Sequence, residues 1–296
     1  ARALETPGGL KIQTIHAFCE AVLHQFPLEA NIAGHFEMLD APMEAALVAE
    51  ARREMIARAA QGESAALGDA FAKVLQIGGE MGLDALLSAI VSQREPLKAF
   101  IAQLDHDGGQ FLTLYREFGF TGDETPQSLA DAVWPDPYFN RDLSIAIASR
   151  AMAADKKWAA QFAEDLGAAC ATPDAQERLA ALRKTFYSGT GSSQKPRSVK
   201  NIMAKGVGEY FPEFADEFER FTASLDEACD RVALLATLDA TRAALTIADW
   251  LIERYERLKS ARGFLDFNDL ISRTVALLSR EDAGAWVQDK LATGID

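Results

Sequence analysis

The sequence predicts a mostly α protein, and three observations carry that expectation. Strand-like alternation is nearly absent from the 296 residues. Residues 213 to 262 contain neither Gly nor Pro and place apolar side chains at a 4-3 spacing. Elsewhere, apolar runs of helical period are separated by Gly, Pro or Asp turns.

The elements follow in order. Leu10-Lys11-Ile12-Gln13-Thr14, after the breaker Pro7-Gly8-Gly9, is the one good strand candidate. From His16 the pattern turns helical, with Phe18, Val22, Leu23 and Phe26 on one face and Pro27 closing it. Glu44–Ala60 is rich in helix formers. Ala65–Ile77, Leu83–Arg94 and Pro96–Leu104 read as helices split by Gly78-Gly79, Gly82 and Pro96, and Asp105–Gly109 reads as a turn. Gln110–Phe118, Pro126–Val133, Asp142–Ala154 and Lys156–Cys170 continue the series. Trp134–Phe139 is an aromatic loop stiffened by two prolines, suited either to core packing or to stacking on bases. Thr172-Pro173-Asp174 reads as a cap with Pro in the first turn, opening a helix to Phe186. Ser188–Pro196 is Gly/Ser-rich and reads as a mobile loop.

The long stripe runs through Phe214, Phe218, Phe221, Leu225, Ala228, Val232, Leu235, Leu238, Thr241, Leu245, Ala248, Ile252 and Tyr255. Unbroken, it is about 75 Å long at 1.5 Å per residue. The spacing slips to successive threes around Leu235–Thr241, where a bend is expected. Gly263 ends it. Asp266 is the expected N-cap of a following helix, with Asp269 at its third position.

Composition excludes several classes. Half the residues are apolar and a quarter charged, which excludes a disordered chain. No apolar run approaches the roughly 20 residues a membrane span needs, so no membrane partner is expected. Cys19, Cys170 and Cys229 are far apart and make neither a disulfide framework nor a metal site. His16, His24, His35 and His106 are scattered, without ligand spacing. No catalytic constellation is present. Gly189–Pro196 superficially resembles a phosphate-binding loop, but Gln194 replaces the Gly before Lys195, and Pro196 stands where Ser or Thr would ligate Mg²⁺.

The net charge of −14 argues against nucleic acid until its distribution is read. Residues 178 to 208 hold seven cations, Arg178, Arg183, Lys184, Lys195, Arg197, Lys200 and Lys205, and no acid. The remainder holds 23 basic and 44 acidic residues, a balance of −21. Seven cations could neutralise several phosphates, or simply form a solubilising loop. A second signal is Thr14-Ile15-His16-Ala17-Phe18-Cys19 at a strand-to-helix turn. Its N–H groups and hydroxyl suit a backbone phosphate; the alternative is a Thr cap followed by a His with a satisfied ring.

Leu10–Cys19 resembles the Thr-x-His-x-Phe/Met-Cys motif of superfamily 1 DNA helicases of the UvrD/Rep/RecB type. Tyr255–Ile271, containing Lys259 and Leu265-Asp266-Phe267-Asn268-Asp269-Leu270, is similar to the Leu-Asp-Phe-Asp-Asp-Leu block of the same family, with Asn268 in place of an Asp. Within it, the first block and Phe26-Pro-Leu-Glu-Ala30 are most similar to AddA-type helicase–nuclease subunits of bacterial double-strand-break repair. The two blocks stand at opposite ends in the family's order, and the long middle carries no named motif.

The resemblance implies a segment of a longer bacterial, cytoplasmic and nucleoid-associated enzyme. Residues 1–28 and 256–296 are expected as remnants of a RecA-like α/β domain and residues 29–255 as a helical subdomain called 1B. Without their parallel sheet, the terminal remnants are expected to be poorly supported or to pack ad hoc. The parent would use ATP and Mg²⁺, move 3′ to 5′ on single-stranded DNA, unwind duplex ends and degrade DNA through a separate nuclease. Its catalytic and cofactor residues would lie before Ala1 and after Asp296, so no catalytic, cofactor-binding or metal-binding residue is expected here, and the segment alone is not expected to be an enzyme. The expected DNA contacts are Thr14, His16, Lys184, Lys195, Arg197, Lys200 and Lys205, toward single-stranded DNA and duplex ends. The alternative role is a helical scaffold whose Phe214–Tyr255 stripe binds a partner such as an AddB-type subunit.

Overall fold

A computed structural model describes residues 14–62, 64–104, 111–280 and 284–292. The expected strand at Leu10–Thr14 falls outside them up to Gln13, and the turn at Asp105–Gly109 falls wholly outside. The protein is mostly α and forms two compact units. One comprises residues 1–101 and 243–296, the other residues 102–242. The helix that carries the 4-3 stripe contributes residues to both units.

In the first unit, α1 (Ile15–Gln25) starts at Thr14, whose Oγ1 accepts from the Ala17 N–H at 3.3 Å. Its buried face is Cys19, Val22, Leu23 and the following Phe26, while Phe18 is 37% exposed. The expected face is therefore corrected by one residue: positions 19, 22, 23 and 26 follow the i, i+3, i+4, i+7 pattern of a core stripe. α2 (Ala41–Gln61) is capped by Asp40 and ends at a left-handed Gly62. α3 (Ala65–Ser92) breaks at Gly79, with φ 60° and ψ −163°, as the Gly78-Gly79 pair predicts. α2 buries Leu47, Ala51 and Met55 and packs against α3, and α4 (Arg94–Leu104) follows.

α3 corrects the expectation about apolar runs. It is long and apolar enough to cross a membrane, with an 18-residue window of mean hydropathy 1.4. Its helical backbone is interrupted at Gly79, and its Asp84 pairs with Arg52 at 2.6 Å.

β1 (Glu37–Met38) pairs in parallel with β4 (Phe264–Leu265). α12 (Phe267–Leu278) packs on α1, and α13 (Gly284–Ala292) on α12. Cys19, Val22, Leu23, Phe26, Phe36, Leu265, Leu270, Leu277 and Val287 make one core. The described parts of the two terminal segments pack on one another. Segments remote in sequence carry complementary apolar stripes, and each covers the other.

In the second unit, α5 (Leu112–Glu117), α6 (Pro126–Asp131), α7 (Arg141–Ala153), α8 (Lys157–Ala171) and α9 (Ala175–Phe186) precede a small antiparallel ladder of β2 (Tyr187–Ser188) and β3 (Lys195–Pro196). The segment expected to be mobile is therefore a hairpin. Asp174, not Thr172, caps α9, accepting from the Glu177 N–H at 2.9 Å; Thr172 ends α8. α10 (Val199–Ile202) leads into α11 (Phe214–Ala261), an unbroken 48-residue helix shared by the two units. The units divide at residue 242, directly after the slip in the 4-3 spacing.

The aromatic core of this unit is Phe139, Phe162, Phe186, Phe214, Phe218 and Phe221. Phe139 lies 4.8 Å from Phe186 and 5.1 Å from Phe221 between ring centroids. Its loop is held by Asp136, whose Oδ1 accepts from the Tyr138 and Phe139 N–H groups and whose Oδ2 accepts from Arg220 at 2.7 Å. At Phe139 the loop serves the core. The stripe of α11 is also consumed internally: Phe214, Phe221, Leu225, Leu235, Leu245, Ala248 and Tyr255 are all buried. That stripe packs within the chain among the described residues.

Candidate nucleic-acid interface

The two sequence blocks meet in the first unit. Thr14 and His16 open α1, and Phe267 opens α12. The His16 and Phe267 rings lie edge to face, 5.0 Å apart. Phe267 is 59% exposed, Ile15 and Thr14 are exposed, and His16 is half-buried. Two helix N-termini, with their outward N–H groups and partial positive charge, therefore border an exposed aromatic ring. Such an edge can accept a phosphate and stack a base.

Behind Phe267 lies a buried ion network. Asp266 and Asp269 form a reciprocal capping box: Asp266 Oδ1 accepts from the Asp269 N–H at 2.9 Å, and Asp269 Oδ2 accepts from the Asp266 N–H at 3.0 Å. Lys259, 2% exposed, places Nζ 2.8 Å from Asp266 Oδ2, 2.7 Å from Asp269 Oδ2 and 2.9 Å from Glu256 Oε1. Arg94 donates from Nη2 to Asp266 Oδ2 at 2.5 Å. Burial alone would raise the Asp266 pKa, but the Lys259 hydrogen bond, the Asp269 N–H and the two cations hold it below the usual carboxylate range. Burial would lower the Lys259 pKa, and its bonds to Asp266 and Asp269 raise it instead.

The resemblance placed Lys259 in the second block, but the sequence reading gave it no role. The signal was present, since position 259 is the next step of the 4-3 frame after Ile252 and Tyr255. A lysine in a core frame announces a buried charge and requires partners. Arg94 carried no such signal.

In the second unit the basic segment separates into two kinds of cation. Arg178 is buried, pairing with Asp131 at 2.7 Å and donating to the Thr172 and Pro173 carbonyls. Arg183 pairs with Asp226, donates to Gln194 and lies over the Tyr187 ring. Arg197 donates from Nε to the Tyr187 carbonyl and from Nη2 to the Lys184 carbonyl, both at 3.2 Å, with Asp165 at 3.9 Å. These three arginines have partners within the fold, and Arg197, expected as a DNA contact, also clasps the hairpin. Lys184, Lys195, Lys200 and Lys205 are exposed and form no ion pair among the described residues.

The phosphate-loop resemblance fails geometrically as well. The Ser193 and Gln194 N–H groups already donate to Thr190 and Gly191 within the turn, so they cradle no phosphate. Among the described residues, no group of three or more His, Cys, Asp or Glu side chains is placed to hold a metal ion. Thr14 and His16 belong to one unit and the four lysines to the other.

A family model for the UvrD/REP helicase N-terminal domain matches residues 3–294. The chain belongs to this family. That membership places the protein among the UvrD-like DNA helicases. No curated protein sequence matches the chain.

Proposed function

We propose that this helicase domain segment guides DNA for its motor. The observation that carries the reading is the set of Lys184, Lys195, Lys200 and Lys205, exposed and without a described carboxylate partner in a protein of net charge −14. The acidic remainder repels DNA and leaves this segment as the favourable place for phosphates. Such contacts position a duplex end and set affinity without reading sequence. Thr14, His16 and Phe267 take the single strand, with the helix N-termini facing phosphate and the aromatic ring facing a base.

The likeness of the first block to AddA-type subunits supports a parent enzyme in bacterial double-strand-break repair and recombination, with nuclease activity and an AddB-type partner. We assign no residue of this chain to ATP, to Mg²⁺ or to the partner.

The test is binding of a labelled forked duplex, followed by fluorescence anisotropy over a salt series. Affinity should fall steeply with salt, each phosphate contact adding about 0.9 to the log–log slope. Reversing the four lysines to Glu should abolish binding. Equal affinity and slope in that variant would overturn the assignment.

A further inference from the structure

We infer that Lys259 is a positioning residue, pinning the first turn of α12 so that Phe267 stands beside His16. The inference rests on the reading of that edge as a single-strand contact, but concerns a residue that reading does not use.

The argument starts from cost. Removing an ammonium from water is unfavourable, and a well-packed apolar side chain at a core position commonly serves stability as well or better. Lys259 occupies a core position of the α11 frame and is 2% exposed. Its charge is nevertheless matched to three carboxylates, Glu256, Asp266 and Asp269, at 2.7 to 2.9 Å. An ammonium has three N–H donors, so this set uses all of its capacity.

Two of those carboxylates are the capping box of α12. Asp266 immediately precedes Phe267, and Asp269 lies two residues after it. Lys259 therefore holds the backbone on both sides of Phe267, while Arg94 braces Asp266 from α4. Phe267 needs such bracing because its own ring is 59% exposed and is not held by a core. Its described ring contact is the edge-to-face approach of His16 at 5.0 Å. The ion network thus sets the direction of an exposed aromatic side chain that it does not itself touch.

The experiment uses the full 296-residue chain with ¹³C-labelled histidine, whose four residues give few signals. The ring current of Phe267 falls on His16, so Phe267→Leu defines the His16 shift expected when the aromatic contact is lost. Lys259→Met should move the His16 Hε1 and Hδ2 signals in the same direction. Binding of a labelled single-stranded oligothymidylate should weaken in both variants, by a factor between about 5 and about 150 if one stacked base is lost. The combined variant should bind no more weakly than Phe267→Leu alone.

Lys259→Met/Asp269→Asn removes one charge of each sign, and carries the same test where the single change lowers the melting temperature. Unmoved His16 signals in a folded variant lacking Lys259 would overturn the inference. So would a combined variant whose loss is the product of the two single losses. If the wild-type chain binds no oligothymidylate, the reading of the edge fails, and the His16 signals still decide the role of Lys259.

Discussion

Lys259 Nζ and Asp266 Oδ2 lie 2.8 Å apart, joining the last turns of α11 to the N-cap of α12. The pair sets a pH dependence at both ends of the scale. Asp266 has a lowered folded-state pKa, so its contribution is present above the unfolded value of about 3.9 and is lost as pH falls through the folded value. Lys259 has a raised pKa, so its contribution is complete below about 10.4 and is lost as pH rises through the folded value. Trp286, edge to face with Phe26 at 5.5 Å, reports on the core beside α12. Its fluorescence should be constant near neutrality and change in acid, and Asp266→Asn should flatten that acid limb. Lys259→Met should cost about 3–5 kcal/mol, because it leaves buried carboxylates without their cation.

The arginine and the lysines of the basic segment should respond differently to truncation. Lys200→Ala removes an exposed charge, and should reduce the salt slope of DNA binding by about one while leaving the melting temperature unchanged. Arg197→Ala leaves the Tyr187 and Lys184 carbonyls without their donor and should destabilise the second unit by about 1–3 kcal/mol. Its salt slope should stay at the wild-type value. Equal slopes and equal melting temperatures for the two variants would contradict the division drawn here.

Phe139 is fully buried among Phe186, Phe214 and Phe221. Phe139→Ala should cost about 3–5 kcal/mol through lost burial and the cavity left behind. Amide exchange should accelerate in α8 and α9, whose Phe162 and Phe186 share that cluster. DNA affinity under conditions where the variant is folded should be unchanged, which separates a core role from base stacking.

Gly189 carries φ of +86°, and a Cβ there would lie 2.6 Å from the Ser193 carbonyl oxygen. Gly189→Ala should therefore open the β2–β3 hairpin at a cost of about 1–3 kcal/mol. Because Lys195 sits in β3, duplex binding should weaken as it does in Lys195→Ala. Unchanged binding would mean that the hairpin does not present Lys195.

Much of the local structure was legible. The break at Gly79, the stop at Gly263 and the Asp266–Asp269 cap follow from residues that impose backbone conformation within a few positions. The Thr14 cap was legible for the same reason. The face of α1 was misread by one position because Phe18 fits the apolar period. Tertiary packing instead chose Cys19. The Ser188–Pro196 segment looked free because Gly and Ser carry no packing signal. Arg183 and Arg197 hold it down from positions outside the turn.

The sequence by itself determined most of the helices, several of their caps and the family, since periodicity, turn chemistry and two short blocks are all local properties. Only the tertiary structure decided which charges are free. Arg94 meets Asp266 across 172 positions, Arg178 meets Asp131 across 47, and Arg183 meets Asp226 across 43. A charge count along the chain sees seven cations and no acid between residues 178 and 208. Folding brings carboxylates from elsewhere to three of them and leaves four lysines facing water. Coulomb attraction acts through space, and the chain order that a sequence records does not contain those distances.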